Sequence, residues 1–446
     1  MRSHRTAVVA ALLAAVLALI GCIIAPSGPS SATARPAAAV QSATVPDMHG
    51  LREPVAASVL ASAGLGIGSV GKAHDPVAPV ATVISQSFEP GTMLVPGSSV
   101  DVTLSLGPRP PASSSLRLHR VKRTTGAFSP KSVVASQGGL VFAQNMMYRH
   151  TVSVFNDKTH RLIKTIRDSV RLSDFGFGGH PGTVRGGPVE AAMSPDGRYV
   201  YVSNYSMWGA GFHHPGHDVG SPASGFDRSF VYRIPVATLK IDQVIRVGSV
   251  PKYLAVTPDG RYLLVSNWTS YTVSVVDTAT GRQIRSIRVG RYPRGIAIDP
   301  QSRFAYIAVM GSSNLVRIDL RTFALRTLHG VGSSPRHLVM SPAGDYLYVT
   351  LNGSGRVAKV RVSTGRVVAS AASGSQPRSM TIAEDSLSLY VVNYVSGSVS
   401  KIRTSDMHVI QRVGVDHHPI GITYVNSTRE VWVSCYSGSI IVFRDR

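Results

Sequence analysis

Beyond residue 116 the chain alternates short apolar runs with turn-forming residues. In one stretch the runs 253–257, 262–266, 272–276 and 283–289 follow one another, each with alternating Val, Leu or Ile. Alternation of that kind predicts strands with a buried face. Pro258-Asp259-Gly260 and Thr278-Ala279-Thr280-Gly281 supply the tight turns between them, with Gly where a positive φ is needed. The set recurs: Pro251, Pro293, Pro335, Pro377 and Pro419 stand 42 residues apart, each followed by an apolar run in the same phase. Earlier copies start at Pro188 and, more degenerate, at Pro130, which makes seven. A period near 42 with four short strands per unit predicts a seven-bladed β-propeller over 116–446. The last unit stops after its third strand, near 440–443. The run 116–121, with Leu116 and Leu118 on one face, is expected to supply the missing fourth strand and close the ring, because an open ring leaves two unpaired edges.

The segment 45–107 has a different pattern. Pro54 falls in the first turn of a helix that carries Val55, Val59, Leu60 and Ala63 on one face and stops at Gly64. Strands are expected at 80–87 and 98–105, so the fold class is mainly β, a propeller preceded by a small α+β domain.

Two family resemblances rest on these residues. Ser194-Pro195-Asp196-Gly197-Arg198-Tyr199-Val200-Tyr201-Val202-Ser203-Asn204 and Thr272-Val273-Ser274-Val275-Val276-Asp277-Thr278-Ala279-Thr280-Gly281 resemble YVTN-family propeller repeats. Val45-Pro46-Asp47 with Gly50-Leu51, Ala63-Gly64-Leu65, Val83-Ile84-Ser85-Gln86, Gly91 and Gly97-Ser98 resemble a PASTA domain. Phe88 stands where that family usually has Pro. The PASTA resemblance implies contact with peptidoglycan fragments, or a spacer that lifts the next domain away from a membrane.

Composition places the chain. Of 446 residues 43% are apolar, and Lys+Arg outnumber Asp+Glu by 46 to 24, a net charge of +22. Such a charge implies anionic partners. Arg2 and Arg5 precede an apolar run from 7 to 20 that ends Leu19-Ile20-Gly21-Cys22, which resembles a bacterial lipobox and makes Cys22 the lipidation candidate. An uncleaved anchor and plain secretion are the alternatives. Each exports the protein, which removes nucleic acid from the partners and leaves peptidoglycan or an anionic wall polymer, with the membrane reached through the lipid or anchor. The domain plan is 1–22 signal or anchor, 23–44 tether, 45–107 PASTA-like domain, 108–115 linker and 116–446 propeller, in a monomer.

Candidate site residues come from the repeat and its interruptions. The residue after the phasing Pro is basic in five copies: Lys131, Lys252, Arg294, Arg336 and Arg378. At the start of the innermost strand these would ring the channel mouth and attract an anion. Insertions at 171–187 and 206–228 fall on the same face, and long loops there are commonly functional; they add His180 and Trp208 as ligand-binding candidates. His213, His214, His217 and Asp218 are the metal-ligating candidates, since imidazole and carboxylate suit zinc, copper or iron. No organic cofactor is predicted. The expected function is an exported cell-envelope binding protein whose propeller takes an anionic ligand. The alternative is a propeller enzyme, a lactonase-like hydrolase or a quinone-dependent oxidoreductase, with His180, Glu190, His337 and His418 as acid–base candidates. No Gly-x-Ser-x-Gly or His-Glu-x-x-His motif supports it.

Overall fold

A computed structural model describes residues 41–147, 149–205 and 220–446. Cys22 and its apolar run lie outside the described residues, as do Trp208, His213, His214, His217 and Asp218. Among the described residues no helix is long and apolar enough to cross a membrane. The chain forms two compact units, divided between Pro110 and Pro111.

In the first unit a helix, Glu53–Ser62, packs on a three-stranded sheet. Ser99–Ser105 is the central strand, parallel to Gly66–Ala73 and antiparallel to Val83–Gln86. The buried helical face is Ala56 and Leu60, joined by Val45, Met48, Val100, Val102 and Leu104. Val55 points outward at 49% exposure, so the helix is rotated from the face expected for it. The strand Gly66–Ala73 was not expected, because its sequence GIGSVGKA has neither alternation nor β-branched bulk and its outer positions are exposed. Phe88 does not spoil the turn. Gln86 Nε2 donates to Phe88 O (2.8 Å) and Pro46 O (3.1 Å), and Gln86 Oε1 accepts from Met48 N (2.9 Å), so one amide ties the turn to the opening segment.

The second unit is a seven-bladed propeller of four-stranded antiparallel sheets. Its innermost strands are Ser132–Ala135, Pro188–Met193, Pro251–Val256, Pro293–Ile298, Pro335–Met340, Pro377–Ile382 and Pro419–Val425 for blades one to seven. The alternating apolar residues meet between blades. Leu264, Val273 and Val275 of blade three pack against Ile296, Ile307 and Val316 of blade four. Each such side chain contributes about 1.5–3 kcal/mol on full burial.

Closure follows the expected route. Leu118–Thr125 pairs antiparallel with Ser439–Asp445 and becomes the fourth strand of blade seven. A polar lock holds the entering chain. Lys401 in blade six is fully buried, and its Nζ donates to Asp445 Oδ1 (2.5 Å), Ser113 O (2.6 Å) and Leu116 O (3.0 Å). Tyr390 Oη donates to the other Asp445 oxygen (2.5 Å), and the Ser113 N–H and hydroxyl donate to the Asp385 carboxylate.

The two insertions leave from neighbouring points. Tyr205 N donates to Gly187 O (2.8 Å), so the end of the first meets the start of the second. Asp168 clamps the first by accepting from Gly186 N and Gly187 N (3.1 and 2.9 Å). Leu172, Phe175 and Phe177 of that insertion extend the apolar core between blades one and two. The described end of the second lies on blade three, where Tyr271 Oη donates to Gly220 O (3.3 Å).

Deleting residues 116–125 is expected to lower the melting temperature sharply by reopening the ring. Lys401→Met, which leaves the Asp445 carboxylate buried without its cation, is expected to cost about 3–5 kcal/mol. Denaturant unfolding of each variant checks both; an unchanged midpoint in the deletion variant would refute closure by this strand.

Candidate functional site

The site begins with a backbone irregularity that recurs. In blades two to seven the register between first and second strands shifts immediately after the phasing Pro, as between Pro251 and Leu254. This is a β-bulge, which re-aims side chains and often borders functional sites. Lys252, Arg294, Arg336 and Arg378 sit on these bulges; Lys131 precedes the regular first strand of blade one. The residue before the Pro takes a left-handed conformation in each case: Gly187, Val250, Tyr292, Ser334, Gln376 and His418. A hydroxyl on the second strand then pins the bulge of the next blade. Ser203, Ser266 and Thr350 donate to the carbonyls of Lys252, Arg294 and Arg378 at 2.7, 2.7 and 2.9 Å.

The second residue after the phasing Pro faces the middle of the ring in blades two, three, five, six and seven, where an axial cavity of about 200 Å³ lies. Innermost strands of six blades line it, and Glu190, Tyr253 and His337 supply its largest polar side chains. Blade four contributes none. A side chain at Gly295 would come within 2.8 Å of the blade-five backbone at Arg336 O and His337 Cα, so only glycine lets those strands approach.

Charge converges on Glu190. Lys131 Nζ lies 2.6 Å from its Oε1 and Arg294 Nη2 3.9 Å from the same oxygen. Burial alone would raise the Glu190 pKa; Lys131 and Arg294 outweigh it and hold the carboxyl below its ordinary value. Burial pushes Lys131 down to about 7, with Arg294 and Arg336 adding to the shift and Glu190 opposing it. His337 is driven down to about 4, first by burial and then by Arg336, Arg294 and Lys131 against Glu190. His337 is thus neutral at neutral pH, and its Nδ1 is buried with no hydrogen-bond partner among the described residues. Its ring meets Tyr253 edge-on, with centroids 5.0 Å apart.

A collar roofs the cations. Tyr205, Trp268, Met310, Tyr394 and Tyr436 stand seventeen residues after their phasing Pro. Lys252 Nζ lies 4.5 Å from the Tyr205 centroid and 5.6 Å from that of Trp268. The Arg294 guanidinium lies 5.8 Å from Trp268, that of Arg378 4.2 Å from Tyr394, and Arg336 Nη1 3.7 Å from Met310 Sδ. Tyr292 stacks on Trp268 and His418 on Tyr394, each at 4.6 Å. Cation–π contacts of this kind are worth about 0.5–2 kcal/mol and leave the charge in place.

The five basic positions thus differ in surroundings. Lys131, Lys252, Arg294 and Arg336 are buried beneath the collar, not spread on an open rim, and Arg378 is half-buried. Lys131, Arg294 and Arg336 gather near Glu190 and His337. His180 is half-buried on the first insertion and His418 is exposed; neither lines the axial cavity. Among the described residues no three His, Cys, Asp or Glu side chains gather to hold a metal. Cys435 is buried, and burial pushes its thiol up to about 12. Tyr253 and the aromatic collar went unrecognised in the sequence. The signal for the collar was present, since Trp268, Met310, Tyr394 and Tyr436 keep the same 42-residue phase as the prolines.

Comparisons with known proteins agree with this architecture. A PASTA domain family matches residues 43–106, and the family described as Lactonase, 7-bladed beta-propeller, matches residues 148–285. The latter stretch includes Glu190, Lys252 and Tyr253; Lys131, Arg294, Arg336 and His337 lie outside it. Antigen Lp49 of Leptospira interrogans is 34% identical over 88 residues, which is 20% of this chain and 18% of the antigen. The match spans less than a fifth of that protein's length. A chain of the Kuenenia stuttgartiensis hydrazine synthase superposes with a TM-score of 0.56 at 18% identity, covering 72% of this chain and 97% of that one. At that identity the likeness is one of fold. The chain carries a PASTA domain and a seven-bladed β-propeller.

Lys131 is expected to titrate near pH 7 in the folded protein, as read by NMR of its side chain. Glu190→Gln removes the charge that favours the ammonium form and should move the midpoint lower. A midpoint above 10 would show that the Lys131 ammonium is not desolvated.

Proposed function

We propose that this protein is an exported cell-envelope binding protein whose propeller holds a small anion in its axial cavity while the PASTA domain contacts peptidoglycan. One observation carries the reading: Lys131, Lys252, Arg294 and Arg336 are all buried, and Lys131 and Arg294 converge on one carboxylate, Glu190, on the wall of the axial cavity. Buried charge is costly unless paired. Two cations, Lys131 and Arg294, share the one Glu190 carboxylate, and positive charge in a low-dielectric enclosure attracts a small anion. About 200 Å³ suits a compact carboxylate or phosphate. Lys131, Arg294 and Arg336 do not themselves line the cavity; their field reaches it through the wall residues Glu190 and His337, on which they act. The neutral His337 adds an unpartnered nitrogen on the cavity wall.

PASTA domains are typically extracytoplasmic, which suits export through the N-terminal apolar run. The sequence Leu19-Ile20-Gly21-Cys22 would then tether the protein by a lipid on Cys22, and 23–44 would give it reach. The propeller repeats fit the YVTN pattern.

The same cavity brings Glu190 and His337 together, and this favours a second reading, hydrolysis of a small lactone by a carboxylate–imidazole pair. The first reading predicts binding without turnover.

Calorimetry with a panel of small carboxylates and phosphates separates the two. A bound anion should lose affinity between pH 6 and pH 8, because Lys131 is protonated below about 7 and neutral above it. Lys131→Met should remove that pH dependence, and Arg294→Gln with Arg336→Gln should abolish binding while circular dichroism stays native. Affinity that is flat across this pH range would count against the axial site. Lactone turnover lost in Glu190→Gln would establish the second reading instead. Peptidoglycan pull-down with and without 43–106 tests the PASTA role.

A further inference from the structure

The outermost strands of the propeller have an unusual composition. They are Leu162–Arg167, Gln243–Arg246, Arg282–Arg288, Leu325–Leu328, Arg366–Ala372, Val409–Gly414 and Leu118–Thr125 for blades one to seven. Lys and Arg number two, one, three, one, one, one and three along them, and none of the seven carries Asp or Glu. Nearly all of these cations are exposed. Among the described residues only Arg123 is ion-paired to a carboxylate, to Asp416 at 2.9 Å. The outer strand of every blade thus carries positive charge and no carboxylate, densest at Arg282, Arg285 and Arg288 in blade three and at Arg120, Lys122 and Arg123 in blade seven. The charge also belongs to this unit: all but one of the net +22 lies in 111–446.

Protection of exposed edges explains part of this, because charged side chains on edge strands prevent edge-to-edge pairing. Such protection works with either sign, however, and does not require the exclusion of carboxylates from seven strands. The uniform sign favours an anionic partner.

The geometry chooses among anionic partners. A bilayer is flat on the scale of a domain and meets one sector of a circular rim at a time. Cations that continue round all seven blades can be used together only by a flexible chain. We propose that the outer belt binds a linear poly(polyol phosphate) chain that bends round the propeller, a site separate from the axial cavity. An extracytoplasmic PASTA domain on the same chain makes a polymer of the wall the fitting source of phosphodiesters, in preference to nucleic acid.

The test uses the full chain and a defined poly(glycerol phosphate), with affinity measured against NaCl concentration. Each neutralised contact releases bound counterions, so the slope of log K against log salt counts contacts, at roughly 0.7–0.9 per phosphate by analogy with nucleic acids. Arg282→Gln, Arg285→Gln and Arg288→Gln together should lower the slope by about two to three. Arg120→Gln with Lys122→Gln, which spares the Arg123–Asp416 pair, should lower it by a further one to two. The losses should add when the sets are combined. The axial pair Arg294→Gln and Arg336→Gln should leave the slope unchanged, so failure of the axial reading and failure of the belt are distinguishable. Three results would overturn the proposal: a slope unchanged by both belt sets, phosphatidylglycerol vesicles bound tighter per phosphate with one set alone abolishing it, or single-stranded DNA preferred over poly(glycerol phosphate) of equal charge.

Discussion

Closure of the ring is the constraint on which everything else rests. Seven sheets pack face to face only if the last meets the first, and here the last sheet is completed by a strand from the opposite end of the unit. The register Ser439 to Thr125 through Asp445 to Leu118 does the joining, and the buried Lys401–Asp445 pair fixes where the entering chain turns in. A slip of one residue would put Leu118 on the outside and its charged neighbours in the core. The lock is ionic where an apolar plug would also fill space. Nζ of Lys401 meets two backbone carbonyls besides the carboxylate, so it specifies one path for the chain.

With the circle closed, the start of every innermost strand lies at the same height round the axis, and a residue type repeated once per blade becomes a ring. In blades two to seven the bulge after the Pro then lets two consecutive side chains leave the regular alternation, one toward the collar and the next toward the axial cavity. A regular strand would have sent one of them into the interface between blades. Lys252 can lie against Tyr205 and Arg336 against Met310 while Tyr253 and His337 line the cavity because of that bulge. The cations survive burial because each has something to lie against: a carboxylate for Lys131, aromatic faces for Lys252, Arg294 and Arg378, a thioether for Arg336.

The repeat made most of this legible in advance. Pro–turn–strand phasing located all seven blades, and 116–121 was identifiable as the closing strand because the final unit was one strand short. The five basic positions were visible for the same reason. Their burial was not, because it depends on Tyr205, Trp268 and Tyr394 reaching across from second strands, and a side chain's reach is not written in its spacing. Glu190 was hard to weigh from the sequence because it occupies the second bulge position of blade two, whose first position is the apolar Val189, outside the basic series of the repeat. In the small domain, Gly66–Ala73 was invisible because a strand that pairs through its backbone alone needs no hydrophobic pattern.

The positive charge of the propeller divides into two physical regimes. Around the axis the charges sit in a medium of low polarisability, beyond easy reach of salt, and burial first, then the neighbouring charges, shifts the local pKa values, as Lys131 and His337 show. On the circumference the charges stand in water, are screened within about 8–10 Å at physiological ionic strength, and act only in number. An axial ligand must therefore be small and sterically matched, and its binding is governed by pH. A ligand of the belt must be long, is tolerated in many registers, and is governed by salt. One fold can carry both regimes because the inner and outer strands of a blade belong to the same sheet yet have opposite environments, and a sequence that repeats with period 42 can write each independently.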